Sequence, residues 1–264
     1  DALHKLWEGL GYYNRARKAQ ECAREIAARG GVWPDTVEGL LALPGIGPYT
    51  SGALLSFAFN KAAPIVDANV ARVLARIDNY SVPVDSTEGL KYLWTRAENL
   101  VDPEHAREFN SAIMELGQTY CRISAPDCLL CPVRSFCSAE QPETLPVKNP
   151  KPEITRVEHH DVLYLRGKSI LLARCPEGKR HAGMYRFPQR EDDHTLSLPH
   201  VLKQTYSVTR YKVTRYIHHV TESPAFLEGE ELVPLDKVHE LPMASPDRKA
   251  LNSPVLGKLL DHIR

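Results

Sequence analysis

The chain has 264 residues, and its 33 lysines and arginines balance 33 aspartates and glutamates, so its formal net charge is zero. A composition of 43% hydrophobic and 25% charged residues is typical of a globular protein, and the length favours two domains. No apolar run approaches the ~18 residues of a membrane-spanning helix and no secretory leader stands out. We therefore expect a cytoplasmic protein without membrane contact, nucleoid-associated if its source is bacterial.

Residues 1–140 are predicted to form a helical domain. Apolar residues recur at helical spacing up to the paired glycines at 30 and 31, and Val70, Val73, Leu74 and Ile77 form a second such stripe. No strand-like alternation is convincing in this region. The predicted helices cover residues 16–26, 36–43, 49–59, 70–77, 94–100 and 109–120.

Residues 141–156 are predicted to be a linker, because four prolines fall between positions 141 and 152 and favour an extended, stiff connector. Beyond it, residues 157–264 change to short runs rich in Val, Tyr and Thr, which are typical of strands. Strands are expected over 162–165, 169–173 and within 206–220, and a last helix over about 247–263. The second domain is therefore predicted to be α+β.

Four of the six cysteines lie within seventeen residues and form the pattern C-x6-C-x2-C-x5-C. Four thiolates at this spacing can surround either a zinc ion or an iron–sulfur cube, and the spacing alone does not choose between them. Disulfides are a distant third interpretation without a secretion signal. The predicted metal ligands are Cys121, Cys128, Cys131 and Cys137.

The segment Leu43-Pro-Gly-Ile-Gly47 lies between two predicted helices. Its alternating glycines allow a sharp turn, and the N–H groups at the start of the next helix can hold a phosphate. An ordinary helix–helix turn explains the glycines equally well. The candidate contacts are Leu43, Gly45 and Gly47.

Asp67 and Asn69 stand twenty and twenty-two residues after Gly47, directly before an apolar helical stripe. Both residue types are favoured as helix N-caps, and for an isolated D-x-N capping is the commoner role. The alternative is a carboxylate placed for catalysis.

Taken in order, the Leu43–Gly47 hairpin, Asp67 and the four-cysteine loop resemble the endonuclease III and MutY superfamily of helix-hairpin-helix DNA glycosylases. The resemblance implies that the hairpin binds DNA, that Asp67 is catalytic and that the cysteines hold a [4Fe–4S] cluster. It also implies base flipping and hydrolysis through a sugar cation that Asp67 stabilises. The loop departs from its relatives, because Arg122 is its only cation between the first two cysteines and Asp127 is acidic.

One position separates two branches of this superfamily. Bifunctional glycosylase-lyases carry a lysine two residues after the second hairpin glycine, where its amine forms a Schiff base. This chain has Tyr49 at that position, as in the purine-removing MutY branch. No lysine lies between Leu43 and Lys61.

The segment from Leu6 to Arg17 also resembles the MutY branch. The resemblance implies DNA contacts from Tyr12, Tyr13 and Arg15, with Tyr12 wedged into the base stack. Core packing beside Trp7 is the alternative for Tyr12.

Releasing adenine also requires an acid, since the base leaves poorly until it is protonated. In the family this acid is a glutamate in a segment resembling S-E-x-M-L-Q-Q-T, upstream of the Leu6 match. No residue of 1–264 matches that motif, and Glu8 belongs to a different one.

The second domain resembles the Nudix-like domain of MutY proteins in residues 169–174 and 182–188, without the glutamate-rich helix of a Nudix hydrolase. The resemblance implies recognition of 8-oxoguanine. The family's F-S-H loop is matched to Tyr216-Ile217-His218, where Ile217 removes a hydrogen-bonding hydroxyl. Tyr216 and His218 are predicted to contact DNA, and two unliganded residues on one strand face are the alternative.

The sequence therefore predicts a mainly α helix-hairpin-helix glycosylase domain with a [4Fe–4S] loop, followed by an α+β Nudix-like domain. Its expected function is monofunctional removal of adenine from adenine:8-oxoguanine pairs in double-stranded DNA, by a monomer. The alternatives are a DNA-binding paralogue with impaired catalysis, favoured by the unmatched glutamate motif, and a bifunctional pyrimidine glycosylase-lyase.

Overall fold

The structure is a computed structural model that describes residues 2–179 and 181–261. The chain divides into two compact units. A helical unit comprises residues 21–151, and a sheet unit combines residues 1–20 with residues 152–264. This grouping differs from the predicted division, which placed residues 1–20 with the other helices and residues 141–151 in a linker.

The helices of the first half begin and end close to the predicted positions, apart from an N-terminal helix that the sequence did not suggest. The helix over 94–100 begins seven residues earlier than predicted, because Ser86 caps it and accepts a hydrogen bond from Gly89 N at 3.0 Å. The bounds are α1 Ala2–Leu6, α2 Asn14–Ala28, α3 Val37–Leu41, α4 Pro48–Ala53 continued by a π-helical segment Leu54–Ala58, α5 Ala68–Ile77, α6 Thr87–Leu100 and α7 Ala106–Thr119.

The core of the helical unit forms around α5. Val70, Leu74 and Ala75 of this helix are at most 1% exposed and pack with Leu93 of α6. The apolar stripe that predicted α5 therefore faces the interior, as an amphipathic helix requires.

The proline-rich segment up to residue 151 belongs to the helical unit and packs against it. Leu145 is 6% exposed, and its carbonyl accepts a hydrogen bond from Arg76 Nε at 3.1 Å. Val84 N donates to Val147 O at 2.9 Å. Prolines that prevent a helix thus leave an extended strap whose backbone groups pair with the helical unit.

The sheet unit contains six strands, and the α+β prediction is confirmed. Strand order is β3-β2-β1-β5-β4, and β6 also pairs with β2, outside this path. β1 runs parallel to β5, whereas β4 pairs with β5 antiparallel. The bounds are β1 Thr155–Arg166, β2 Ser169–Arg174, β3 Tyr185–Arg186, β4 His200–Val208, β5 Tyr211–Val220 and β6 Glu230–Pro234.

The α-helices that the structure describes after residue 152 are α8 Asp193–Ser197, α9 Ser245–Leu251 and α10 Pro254–Asp261. The single last helix of the prediction is divided, because Pro254 cannot continue the hydrogen bonding of α9 and instead starts α10. The predicted end at Ile263 lies outside the described residues. No helix in the described part of the chain is long and apolar enough to cross a membrane.

One face of the sheet packs against α9 and α10. Leu163 and Ile217 are completely buried there, together with Ala250 of α9 and Leu256 of α10. The same side holds a buried charge cluster in which Arg215 contacts Asp161 at 2.7 Å and Asp247 at 2.9 Å. Burial raises the pKa of Asp161 to about 7; the positive charge of Arg215 opposes the rise, and the negative charge of Asp247 adds to it.

Candidate active site

The hairpin between α3 and α4 has the geometry that its glycines predict. Gly45 has φ +77, a left-handed conformation that other residues rarely adopt. Gly47 precedes α4 in an extended conformation, and a Cβ atom added to it would meet nothing within 4 Å. Leu43 is 2% exposed and lies in the core of the helical unit, so it anchors the turn and is not presented as a surface contact.

Tyr49 lies in the first turn of α4 and is 37% exposed. Partial burial and the negative charge of Asp67 both raise the pKa of its phenol. The Tyr49 hydroxyl therefore stays protonated at neutral pH and lies within electrostatic range of the Asp67 carboxylate.

Asp67 is the N-cap of α5, as one interpretation of the sequence predicted. Its Oδ1 accepts a hydrogen bond from Val70 N at 2.7 Å. Its Oδ2 accepts one from Asn69 Nδ2 at 3.2 Å. Capping occupies one carboxylate oxygen, so it orients the group and does not exclude a chemical role for the other.

Asn69 does not cap the helix but orients Asp67. Its Oδ1 accepts a hydrogen bond from Arg72 Nη2 at 2.9 Å, which turns its amide nitrogen towards the carboxylate. Asn69 also packs closely against Gly117 of α7, where an added Cβ atom would lie 2.9 Å from Asn69 Cβ.

Arg72 connects this group to the cysteine loop. Its guanidinium donates to the carbonyl of Cys121 at 2.7 Å and to that of Gly117 at 2.6 Å. The side chain is 5% exposed, so these bonds form away from competing water. Asp67, Asn69, Arg72 and the first cysteine thus belong to one hydrogen-bonded chain.

The four clustered cysteines line a single cavity of about 160 Å³, together with Arg76 and Tyr120. All four are free thiols, which rules out the disulfide interpretation for this structure. Arg76 is 1% exposed and donates to Cys121 Sγ at 3.3 Å and to the carbonyl of Arg122 at 2.7 Å. Burial raises the pKa of the Cys131 thiol.

The thiols are not gathered around one point. Among residues 2–179 and 181–261, no three histidine, cysteine or acidic side chains lie close enough to hold one metal ion. The cavity lined by the four thiols, with the Arg76 guanidinium at its wall, is where thiolate ligands of a metal centre would meet.

The three residues of the N-terminal segment that were predicted to contact DNA differ in their exposure to solvent. Tyr12 is 80% exposed with a left-handed φ of +47, which presents its ring to solvent. Tyr13 is only 7% exposed, and its hydroxyl lies 3.3 Å from Ser245 Oγ, so it is a core residue in this structure. Arg15 is exposed, with its guanidinium 5.6 Å from the centre of the Trp7 ring.

The segment Tyr216-Ile217-His218 is not a loop, which corrects the predicted recognition motif. It lies inside β5, and Ile217 is completely buried in the core of the sheet unit, where a hydroxyl could not read a base. Tyr216 stacks on His160, with ring centres 5.1 Å apart. Tyr216 and His218 therefore lie on one strand face, and their contact with DNA stays a prediction.

His218 is 3% exposed, and both of its ring nitrogens form hydrogen bonds. Its Nδ1 donates to the Leu198 carbonyl at 2.9 Å, which leaves Nε2 to accept from His160 Nδ1 at 3.0 Å. Burial lowers its pKa, so the ring is neutral at pH 7.

Sequence reasoning missed Arg72 and Arg76, the two residues that connect α5 to the cysteine loop. The sequence did contain a signal for them. Arg72 and Arg76 lie three and seven residues after Asn69, within an apolar stripe where a cation is unexpected. A buried arginine normally has several hydrogen-bond acceptors, and here these are backbone carbonyls of the loop.

Comparison with known proteins agrees with this geometry. Residues 1–96 match the family model of the HhH-GPD superfamily base excision DNA repair proteins. The adenine DNA glycosylase of Arabidopsis thaliana is 38% identical over 203 residues, 70% of this chain and 32% of that protein. The adenine DNA glycosylase of Homo sapiens is 47% identical over 143 residues, 53% of this chain and 26% of that protein.

Over the matched residues this chain is similar to MutY-type adenine DNA glycosylases of that superfamily. It spans about a third or less of the length of these curated relatives. The solved structure of a thermostable thymine-DNA glycosylase is 33% identical in sequence to this chain. The match covers 52% of this chain and 64% of that one, with a TM-score of 0.46. This score is too low to support a conclusion beyond the sequence match.

Proposed function

We propose that this chain carries the sugar-facing half of an adenine DNA glycosylase site, which removes adenine opposite 8-oxoguanine by hydrolysis. The observation that carries the proposal is the placement of Asp67 behind the hairpin, with one oxygen capping α5 and the other held by Asn69. The adenine DNA glycosylases among its relatives support the choice of base.

The chemistry follows from the charge of Asp67. Cleavage of the glycosidic bond leaves a sugar with oxocarbenium character, and a fixed carboxylate stabilises that cation more than it stabilises the neutral substrate. Arg72 and Asn69 restrain the carboxylate, so little reorganisation is needed as charge develops. The hairpin amides hold a phosphate of the flipped nucleotide's strand.

We infer that the reaction is monofunctional. Schiff-base chemistry requires an amine beside the sugar, and the described hairpin offers the phenol of Tyr49 at that position. A phenol whose pKa is raised by burial and by the charge of Asp67 remains neutral and is a poor nucleophile at pH 7.

We further propose that Cys121, Cys128, Cys131 and Cys137 hold a [4Fe–4S] cluster. When bound, the cluster would fix the loop as a rigid body, and Arg76 would donate a hydrogen bond to one of its thiolate ligands. The loop in turn offers the Cys121 carbonyl that anchors Arg72.

This cluster gives a direct analytical prediction. Protein purified without oxygen should be brown, absorb broadly near ~400 nm and contain about four irons per chain, since a cubane with four thiolate ligands has that stoichiometry. The check is iron and zinc analysis by mass spectrometry with the absorption spectrum. One zinc without iron would refute the cluster.

The proposed activity is tested by identifying the base that is released. Duplexes with adenine:8-oxoguanine, adenine:thymine or thymine:guanine pairs are incubated with the chain joined to the upstream segment of a full-length relative, and free bases are separated by chromatography. We expect adenine from the first duplex and no thymine from the third. Borohydride should trap no covalent adduct, because no amine is placed to form one. Thymine release with a trapped adduct would instead establish the bifunctional activity.

A DNA-binding protein with impaired catalysis is the alternative to this proposal. The same assay separates the two candidates, because an impaired protein would bind the adenine:8-oxoguanine duplex and release no base from it even with the upstream segment present.

A further inference from the structure

The sheet unit contains a cavity of about 370 Å³ that the proposed site does not use. It lies between the start of α9 and the inner face of the sheet, which is the face that packs against α9 and α10. Because side chains alternate along a strand, every second residue of β1, β4 and β5 points towards it. Apolar walls around a few polar groups, at this volume, are typical of a small-molecule site. The walls include Val157, Tyr206, Val208, Tyr211, Val213 and Pro246.

Three of the polar side chains that line the cavity form the buried charge cluster of Arg215, Asp161 and Asp247. Arg215 is 1% exposed and each aspartate is 7% exposed. Arg215 Nη2 donates to Asp247 Oδ1 at 2.9 Å, whereas its Nε lies 2.7 Å from Asp161 Oδ2 without the alignment of a hydrogen bond. One guanidinium therefore faces two carboxylates, and the cluster has one negative charge in excess when both are ionised.

The second oxygen of each carboxylate accepts no hydrogen bond from residues 2–179 and 181–261. The contacts of these residues end on Asp161 Oδ2 and on Asp247 Oδ1, to which Phe187 N also donates at 3.3 Å. Both aspartates line the cavity. Buried polar atoms normally have a hydrogen-bond partner, so the two remaining oxygens call for donors that lie within the cavity.

The geometry of Arg215 indicates the shape of such a donor. Nε and Nη2 are neighbours on one edge of the planar guanidinium, so Asp161 and Asp247 stand side by side along that edge. A second planar group with two N–H donors on one edge can meet the other oxygens in the same way. If this group is a cation, it also balances the excess negative charge.

A metal ion or an ammonium fits the cluster less well. Among residues 2–179 and 181–261, no three side chains are placed to hold one metal ion. An ammonium is a compact, strongly hydrated charge, whereas a guanidinium is planar and weakly hydrated, which lowers the cost of entering an apolar cavity. The ring of Tyr206 in the wall offers a face on which a planar cation can stack.

The other charged and titratable groups of the cavity decide where a cation can lie. Arg186 is exposed, with its Nη1 3.5 Å from Gln189 Oε1, and its charge disfavours a second cation nearby. Burial and the charges of Arg186 and Arg215 lower the pKa of His159, which is therefore neutral at pH 7. A bound cation must therefore lie at the two carboxylates. The remaining titratable groups of the wall are Cys175, His181, Tyr185, Tyr206 and Tyr211.

We propose that this cavity binds a small planar cation of the amidinium or guanidinium class, whose N–H donors meet the second oxygens of Asp161 and Asp247. The inference goes beyond the proposed function and does not rest on it, because every residue of the cavity belongs to the sheet unit.

The test is calorimetric titration of the whole chain with benzamidine and with benzamide. The two probes have the same shape, but benzamide is neutral and has a carbonyl oxygen in place of one nitrogen donor. Asp247→Asn removes one charge from the cluster and keeps an Oδ1 acceptor for Arg215 and Phe187 N. Asp236→Asn makes the same change at an exposed position outside the cavity wall, and is the matched control.

We expect benzamidine to bind at least ~10-fold more tightly than benzamide, since hydrogen bonds to charged groups are the stronger kind. Asp247→Asn should weaken benzamidine binding roughly 10- to 100-fold, as the loss of one hydrogen bond between charged groups implies, and Asp236→Asn should not change it. The affinity should rise from about pH 6 to about pH 8, because Asp161, with a pKa of about 7, must be ionised to hold a cation.

Val157→Phe tests the cavity without altering a charge, and melting temperatures are recorded for all variants. It narrows the space in front of the cluster and should weaken benzamidine binding even if Asp247→Asn proves unstable. Equal affinities for benzamidine and benzamide would overturn the inference, as would unchanged binding by Val157→Phe. Tighter binding of guanosine than of benzamidine would also overturn it, because a neutral heterocycle would then be the preferred occupant.

Discussion

Joining the segment that precedes this region in the human relative to the N-terminus of the chain should accelerate adenine release from an adenine:8-oxoguanine duplex by at least ~100-fold. The reason is protonation of the leaving group. Adenine departs slowly as an anion, and no residue of 1–264 matches the motif that carries the family's acid.

The control for this prediction is the same joined protein with its motif glutamate changed to glutamine. It should be as slow as the original chain, whereas duplex binding should match that of the active joined protein. Single-turnover kinetics with excess enzyme measure the chemical step without product release. Equal rates with and without the added segment would mean that a residue within 1–264 supplies the proton.

Local sequence signals predicted most of the helical unit. The stripe that includes Val70 and Leu74 faces the core, and the Leu43–Gly47 hairpin adopts the turn that its glycines indicate. These features depend on residues close together in the chain, where periodicity and turn chemistry act directly.

Features that depend on distant contacts were not predictable in the same way. Tyr13 carries no local sign of its burial against Ser245, more than two hundred residues away. The proline-rich strap shows the same limit, because composition predicts an extended chain and cannot indicate that Leu145 packs beside Arg76. The match of Tyr216-Ile217-His218 to a loop failed because a three-residue motif is weaker than the strand pattern around it.

Changing Asp67 to asparagine should abolish adenine release in the joined protein while leaving its fold intact. Asparagine keeps an acceptor for Val70 N, so the cap survives and stability should change by less than about 0.5 kcal/mol. It removes the negative charge that stabilises the sugar cation, and we expect the excision rate to fall by roughly 1,000-fold or more. Duplex binding should be largely unchanged, since the hairpin amides are unaffected.

Asp192→Asn provides a matched control. Asp192 caps α8 with the same geometry and accepts a hydrogen bond from Thr195 N at 2.8 Å, but it lies in the sheet unit and has no role in the proposed site. The two variants should therefore have similar melting temperatures. Only Asp67→Asn should lose excision, which separates the cost of altering a cap from the cost of removing a catalytic charge.

The most direct measurement is the single-turnover rate of adenine release from an adenine:8-oxoguanine duplex by the joined protein and its Asp67→Asn variant, with both melting temperatures recorded. Our account predicts a rate lower by roughly 1,000-fold or more at an unchanged melting temperature. Near-normal excision by Asp67→Asn would contradict it, and Asp67 would then be a helix cap alone.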